Sequence, residues 1–277
     1  MNGPEQGPSW EPGLRVSVFV GVLALMILWE VLAPRRPRTV SKTRRWSANF
    51  GMAIVGQVLV RLALGAAAVG AAMWATQWEW GVLNRFLLPY RTAIIVSVIV
   101  LDAVIYLQHV MFHAVPLFWR LHMAHHFDLD LDVSSGLRFH PFESLLSMAI
   151  RIAAVALIGP PVAAVIIFEV VLNAATMFNH GNVRLPLKLD RVLRWFLVTP
   201  DMHRVHHSVD KRESNSNFGF ILPWWDRILG TYCAQPAAGH DGMTIGLEQY
   251  QGQPPHSLWR LLLVPFLKKS NHAINRR

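Results

Sequence analysis

The chain has 277 residues, of which 53% are hydrophobic and only 16% are charged, a composition that is typical of membrane proteins. Its formal net charge of +9 comes from basic residues that flank apolar segments without forming a nucleic-acid-binding module, so no nucleic acid partner is expected. The single cysteine, Cys233, excludes an intrachain disulfide and an iron–sulfur cluster held by cysteines.

Four apolar segments are predicted to be helical: residues 14–33, 50–75, 92–112 and 144–178. Each of the first three can cross a hydrocarbon core of about 30 Å, which needs roughly 20 helical residues. The fourth is interrupted by Gly159-Pro160-Pro161. Because proline removes a helical hydrogen-bond donor, this segment is predicted to form a hairpin of two shorter helices, which either spans the bilayer or only re-enters it.

The first segment is interpreted as a retained anchor, because no basic residue precedes it and no small-x-small cleavage site follows it. Six basic residues and no acidic residue come next: Arg35, Arg36, Arg38, Lys42, Arg44 and Arg45. The positive-inside rule places this loop in the cytoplasm and the N-terminus outside. Counting the crossings from there puts all the histidine-rich segments on the cytoplasmic face.

Three histidine boxes dominate the middle of the chain: His109-x-x-x-His113, His122-x-x-His125-His126 and His203-x-x-His206-His207. His140 and His180 lie between the second and third boxes. Residues three and four apart share one face of a helix, so each box is expected to direct its imidazoles toward a common point. Burial of so many imidazoles without a metal would require a separate hydrogen-bond partner for each. The set exceeds what one ion can bind and indicates two metal ions with four or five ligands each.

The second and third boxes are each predicted to lie on a short helix. Pro116 fits the first turn of a helix over residues 117–127. Thr199-Pro200-Asp201 is typical of a helix start, with a capping side chain, a proline at the first position and an acid near the positive end. Asp201 is near enough in sequence to accept a hydrogen bond from an imidazole N–H group, which metal-bound histidines usually need.

Two polar seams run along the apolar segments. Asp102, Tyr106, His109 and His113 share one helix face, and so do Glu169, Asn173, Thr176 and His180. Carboxylates at membrane depth are costly and usually serve a site or a paired network. We therefore expect the two helices to face each other, with Asp102 and Glu169 deep in the seam as candidate site residues. Helix packing alone is the alternative.

The boxes resemble the fatty acid hydroxylase and sterol desaturase superfamily over roughly residues 90–233. The resemblance also rests on Arg138-Phe139-His140-Pro141, Asn179-His180 and the closing sequence Trp225-Asp226-Arg227-Ile228-Leu229-Gly230-Thr231-Tyr232. It implies an integral membrane enzyme with two non-haem iron ions, for which zinc can substitute in purified protein, that uses O2 and two electrons to hydroxylate or desaturate a lipid. The implied metal ligands are the eight histidines of the boxes together with His180, and His140 is a ligand or a neighbour.

The expected fold is all-α, with three transmembrane helices, a helical hairpin and a cytoplasmic histidine-rich helical cap. We divide the chain into an N-terminal anchor (1–90), a catalytic domain (91–233) and a C-terminal loop with a basic amphipathic tail (234–277). The sequence shows neither a cytochrome b5 domain nor a dinucleotide-binding fingerprint. Electrons are therefore expected from a separate cytochrome b5-, ferredoxin- or rubredoxin-like donor with its reductase.

Two other classes of protein fit part of the pattern. A histidine-rich membrane metal transporter or metal-binding protein would use Asp102 and Glu169 along an ion path. That reading is weakened because the boxes lie at one membrane face rather than midway between repeats. A haem protein needs only one or two axial histidines and leaves most of the set without a role.

Overall fold

The computed structural model describes residues 8–65, 67–252 and 257–267, and this part of the chain is all-helical, as predicted. Its α-helices are α1 (Glu11–Leu32), α2 (Lys42–Leu64), α3 (Ala67–Gln77), α4 (Tyr90–Ala114), α5 (Pro116–His126), α6 (Pro141–Ile158), α7 (Val162–Asn179), α8 (Leu187–Leu193), α9 (Pro200–His206), α10 (Lys211–Ser214), α11 (Trp224–Ile228), α12 (Gly239–Gly242) and α13 (Leu258–Leu263). Short 3₁₀ helices cover Leu83–Arg85, Ser135–Leu137, Glu248–Tyr250 and Val264–Phe266. The predicted basic tail lies partly outside the described residues, from residue 268 onward.

Five helical segments within the described ranges are long and apolar enough to cross a membrane: Glu11–Leu32, Lys42–Gln77, Tyr90–Ala114, Pro141–Ile158 and Val162–Asn179. They correspond to the four predicted apolar segments, because the fourth segment forms α6 and α7. The short helices α5 and α9 also begin at the expected prolines. At the start of α9, the side chain of Thr199 accepts a hydrogen bond from the backbone N–H of Met202 at 3.3 Å.

The second apolar segment differs from its prediction at both its start and its middle. Helix α2 begins at Lys42, eight residues before the apolar stretch, and ends at Leu64. The next residue is Gly65, whose φ of 57° favours glycine. The early start carries two polar residues that are fully buried, Arg45 and Asn49. Hydropathy detects only the apolar part of such a helix. The predicted start, residue 50, is therefore eight residues later than the observed start at Lys42.

The predicted break at Gly159-Pro160-Pro161 is confirmed. Gly159 ends α6 with a φ of 66°, and a Cβ atom there would lie 2.2 Å from the carbonyl oxygen of Trp80. Only glycine lets the two backbones approach so closely. Helices α3 and α4 each pack against both α6 and α7, while α1 packs on α7 and α2 packs on α6.

The helices bring the histidines and the basic loop to one end of the molecule. Glu30, near the end of α1, accepts hydrogen bonds from the backbone N–H groups of Val133 and Asn182 at 2.6 and 2.9 Å. At the opposite end, the backbone N–H of Val82 donates to the carbonyl of Leu157 at 3.0 Å. Helix α1 therefore starts at the end opposite to the histidines, and the α6–α7 hairpin leaves the histidine end and returns to it.

Candidate metal centre

Nine buried histidines form two adjacent groups. The five-histidine group contains His109, His113, His122, His126 and His206. The four-histidine group contains His125, His180, His203 and His207. Within each group, the candidate ligand nitrogens all lie within 4.8 Å of one another. The groups touch, since the ring centroids of His126 and His207 are 4.5 Å apart.

The expectation that each box points to one place holds for the first box, since His109 and His113 share the five-histidine group, and is wrong for the second and third. On α5, His122 and His126 enter the five-histidine group, whereas His125 enters the other group. The third box is divided in the opposite sense: His203 and His207 join the four-histidine group and His206 joins the five-histidine group. Adjacent residues on a helix diverge by about 100°, so each His-x-x-His-His box contributes to both groups.

Four of these imidazoles are held by acceptors at Nδ1, at 2.6–2.8 Å. The pairs are His109 with the Phe218 carbonyl, His122 with Glu143 Oε1, His180 with the Thr176 carbonyl and His206 with the Ser216 carbonyl. A carbonyl or carboxylate only accepts, so in each pair Nδ1 carries the proton. The Nε2 lone pair of the neutral ring is then free to bind a metal.

The spacing of the free nitrogens fits bound metal ions. Nε2 atoms face each other at 3.0–3.2 Å in four pairs: His109 with His122, His113 with His126, His125 with His180, and His180 with His203. Lone pairs repel at this distance unless a donor or a cation lies between them. Two nitrogens that are each about 2.1 Å from one ion would be roughly 3.0–3.4 Å apart.

The electrostatic environment keeps the imidazoles neutral. Burial, reinforced by repulsion from neighbouring histidines, lowers the pKa of six histidines outside the spanning helices: His122, His125, His126, His203, His206 and His207. Burial also lowers the pKa of His180 to about 4. Neutral imidazole is the form that binds metals, so near pH 7 no proton has to be displaced from these groups.

The expected carboxylates lie elsewhere. Helices α4 and α7 do pack together, but Asp102 accepts hydrogen bonds from Trp225 Nε1 at 2.9 Å and the Leu222 backbone N–H at 3.2 Å. Glu169 forms ion pairs with Arg15 and Arg151 at 2.7 and 2.8 Å. Asp102 is therefore held by two hydrogen-bond donors and Glu169 by two arginines, and neither acid orients an imidazole.

Asp201 and His140 are also outside the two groups. Asp201 pairs with Arg204 and with Arg35, the latter at 3.1 Å. His140 caps α6, with Nδ1 accepting from the Phe142 backbone N–H at 3.3 Å and Nε2 lying 3.3 Å from the Leu262 carbonyl. The cap fits the proline that follows His140, because a helix begins at that point.

Sequence reasoning missed Glu143, the carboxylate that contacts a histidine of these two groups. It lies three residues after His140 in the first turn of α6 and is 2% exposed. Its signal was the sequence His140-Pro141-Phe142-Glu143, which starts a helix inside a region that otherwise carries the ligands.

A buried ion network beside the second box was also missed. Arg45 on α2 lies 2.7 Å from both Asp128 and Asp132, and Arg138 lies 3.1 Å from Asp128. Burial alone would raise the pKa of Asp128, but the two guanidinium groups lower it below its usual value. The network ties α2 to the loop that follows His126.

A cavity of about 240 Å³ adjoins the five-histidine group. His109 and His122 contribute to its wall at one end, and Arg15, Arg151 and Glu169 contribute at the other. The two exposed residues of its lining, Gln57 on α2 and Asn173 on α7, mark where it opens. Both lie within helices of membrane-spanning length, so the opening faces the level of the apolar core.

Residues 94–231, about half of the chain, match the fatty acid hydroxylase family. The matched region contains all nine grouped histidines and Glu143. Together with the site, this match shows that the chain belongs to the fatty acid hydroxylase family.

Several curated proteins are similar to the chain. It is 26% identical to the ornithine lipid hydroxylase OlsE of Rhizobium tropici, over 73% of this chain and 55% of that protein. It is 28% identical to the alkylglycerol monooxygenase of Homo sapiens, over 53% of this chain and 32% of that protein. The alkylglycerol monooxygenase of Caenorhabditis elegans is 25% identical over 72% of this chain and 39% of its own length. The chain thus spans between a third and just over half of these relatives. No solved structure matches it.

Proposed function

We propose that this protein is a membrane lipid oxygenase that holds two iron ions, one in each of its two histidine groups. The observation that carries the proposal is the pair of touching groups of buried, neutral imidazoles whose Nε2 atoms face one another at 3.0–3.2 Å. Imidazole suits iron, and the absence of cysteine from both groups argues against a structural zinc site. Family membership and the names of the relatives support lipid oxidation.

The proposed reaction is a hydroxylation. One oxygen atom of O2 enters a lipid C–H bond, and the other leaves as water with two electrons and two protons. Bound iron supplies the activation of O2, which side chains cannot provide. The names of the relatives, hydroxylase and monooxygenase, favour this outcome over desaturation.

The chain's own residues position and enclose the site. The carbonyls of Phe218, Thr176 and Ser216 fix three imidazole rings, and Glu143 fixes a fourth. All nine grouped histidines are buried, which keeps bulk water away from the reacting centre. The adjoining cavity is the proposed place for the lipid. We further propose that electrons come from a separate small redox protein and its reductase.

A metal transporter is less well supported. An ion path needs carboxylates that can bind a passing cation, but Glu169 is neutralised by two arginines and Asp102 is engaged by Trp225 and a backbone N–H. These contacts are those of structural ion pairs and caps. The nine ligands at one end of the molecule are arranged to retain metal rather than to pass it on.

The test combines metal analysis with oxidation of a lipid extract under isotopically labelled O2. Purified protein should contain about two irons and, with a chemical reductant, transfer labelled oxygen to lipid. His122→Ala and His180→Ala each remove one ligand from a different group and should abolish transfer. His140→Asn is the matched control, since asparagine also caps helices and His140 belongs to neither group. Full activity in both alanine variants would refute the site.

A further inference from the structure

The cavity beside the five-histidine group is more polar than an acyl chain requires. Four of the five α6 residues in its wall are polar: Glu143, Ser144, Ser147 and Arg151. Polar groups at membrane depth are costly unless they have partners. A cavity shaped only for hydrocarbon would leave these groups facing methylene groups, so its polarity points to a polar ligand.

The two ends of the cavity differ in which kind of polar group is unsatisfied. At the end away from the histidines, Glu169 is paired with Arg15 and Arg151 at 2.7 and 2.8 Å, and Arg151 Nε is a buried donor without a hydrogen-bond partner among the described residues. At the histidine end, Glu143 Oε2 and Gln108 Oε1 are buried and have no hydrogen-bond partner among the described residues. The residues that carry them are only 2% and 8% exposed. The unmet acceptors of the cavity wall therefore lie next to His122 and His109.

The chemistry of these two groups defines the ligand. The amide oxygen of Gln108 only accepts hydrogen bonds, and one oxygen of Glu143 is already taken by His122. The ligand must therefore bring a donor. An ammonium group would be repelled by metal cations bound at the histidines, whereas a hydroxyl donates without net charge.

We infer that the histidine end of the cavity binds a hydroxyl-bearing polar end of the lipid substrate. This inference rests on the proposed function. The cavity opens at Gln57 and Asn173, which lie within helices of membrane-spanning length. The apolar chain therefore leaves through the opening at Gln57 and Asn173, and oxidation falls on a carbon within a few bonds of the polar end.

Binding is tested with two probes that differ only in hydroxyl groups, octadecane-1,2-diol and octadecane. Native mass spectrometry of the iron-loaded full chain gives an apparent Kd for each. The diol should bind as one molecule per chain and about tenfold more tightly than the alkane, because it satisfies buried acceptors. Equal affinities would overturn the inference.

Two variants locate the binding. Gln108→Leu removes a cavity polar group whose amide donates to Ser147 at 2.9 Å and forms no hydrogen bond with a histidine among the described residues. It should weaken diol binding about tenfold while leaving alkane binding unchanged. Ser97→Ala is the control, since Ser97 is buried on the same helix, bonds to the Ala93 carbonyl and lies outside the cavity. Unchanged alkane binding verifies the fold. An unaltered diol Kd in Gln108→Leu would contradict the inference.

Turnover separates this inference from the proposed function. If labelled oxygen enters the diol, mass spectrometry should place it within the first few carbons from the hydroxyls, and mid-chain oxidation would overturn the inference while supporting the function. Diol-selective binding with no oxygen transfer under any reductant would support the inference and overturn the proposed function.

Discussion

At the scale of the residue, Glu143 is distinguished from Asp102, Glu169 and Asp201 by its contact with an imidazole of the metal centre, 2.6 Å from Nδ1 of His122. We expect Glu143→Gln to lower iron affinity on the order of 10–100-fold, because the amide is a weaker acceptor and no longer fixes the charge and orientation of the ring. Iron titration of chelator-treated protein measures this.

Asp102→Asn provides the comparison for that titration. Its carboxylate serves Trp225 and the Leu222 backbone, so iron affinity should change by less than about twofold. Equal losses in the two variants would mean that the Glu143 contact has no particular role at the metal centre.

The histidines could be predicted from the sequence because their spacing on short helices is a local property. Their division into two groups could not, since it depends on how α5, α7 and α9 meet. Glu143 and His140 show the same limit: both lie in the first turn of α6, but one faces an imidazole and the other caps the helix. Only the packing of α6 against α5 distinguishes them.

At the scale of the element, the start of α2 is held by charge rather than by apolar contact. Arg45 is fully buried and bonds to Asp128 and Asp132. Arg45→Met would leave two carboxylates buried without this partner, so we expect a loss of about 3–5 kcal/mol in the free energy of unfolding. Denaturant unfolding in detergent measures the loss.

The neighbouring residue is the natural control. Arg44 is exposed, so Arg44→Met removes the same charge at a cost within about 0.5 kcal/mol. If Arg45→Met were as stable as Arg44→Met, the buried network would not hold α2 in place.

The four apolar segments predicted all five membrane-length helical segments, three as single units and two as a hairpin, and the prolines located the hairpin turn. The sequence did not predict that α2 starts at Lys42, because pairing with acids some eighty residues away is what makes its polar first turns compatible with burial. The break at Gly65 went unnoticed since a single glycine inside an apolar stretch is compatible with a continuous helix.

At the scale of the whole molecule, the basic loop and the histidines lie at one end, opposite to the start of α1. We propose that the histidine end is cytoplasmic, as the positive-inside rule predicts. The single cysteine, Cys233, lies at that end, where its backbone N–H bonds to Asn217. A membrane-impermeant maleimide should therefore label Cys233 only after cells are permeabilised.

The opposite end supplies the matched experiment. Leu87 is fully exposed in the loop between α3 and α4, so Leu87→Cys in a Cys233→Ser background should be labelled in intact cells. Labelling of Cys233 in intact cells, with protection of the cysteine at position 87, would reverse the proposed orientation.

The electron donor is expected to dock at the histidine end, where exposed basic residues outnumber acidic ones. Lys211 and Arg212 are exposed at the start of α10, four and five residues after His207. If they help to steer an acidic donor, turnover with a reconstituted donor and reductase should fall as salt rises, because screening shortens the reach of the field to about 8 Å at physiological ionic strength.

The charge reversal Lys211→Glu with Arg212→Glu should slow donor-limited turnover about tenfold at low salt, with unchanged iron content. Arg85→Glu makes the same kind of change at the far end, where Arg85 is exposed, and should leave the rate unaltered. A rate that is equal at low and high salt, or equally slowed by Arg85→Glu, would show that the donor does not use this surface.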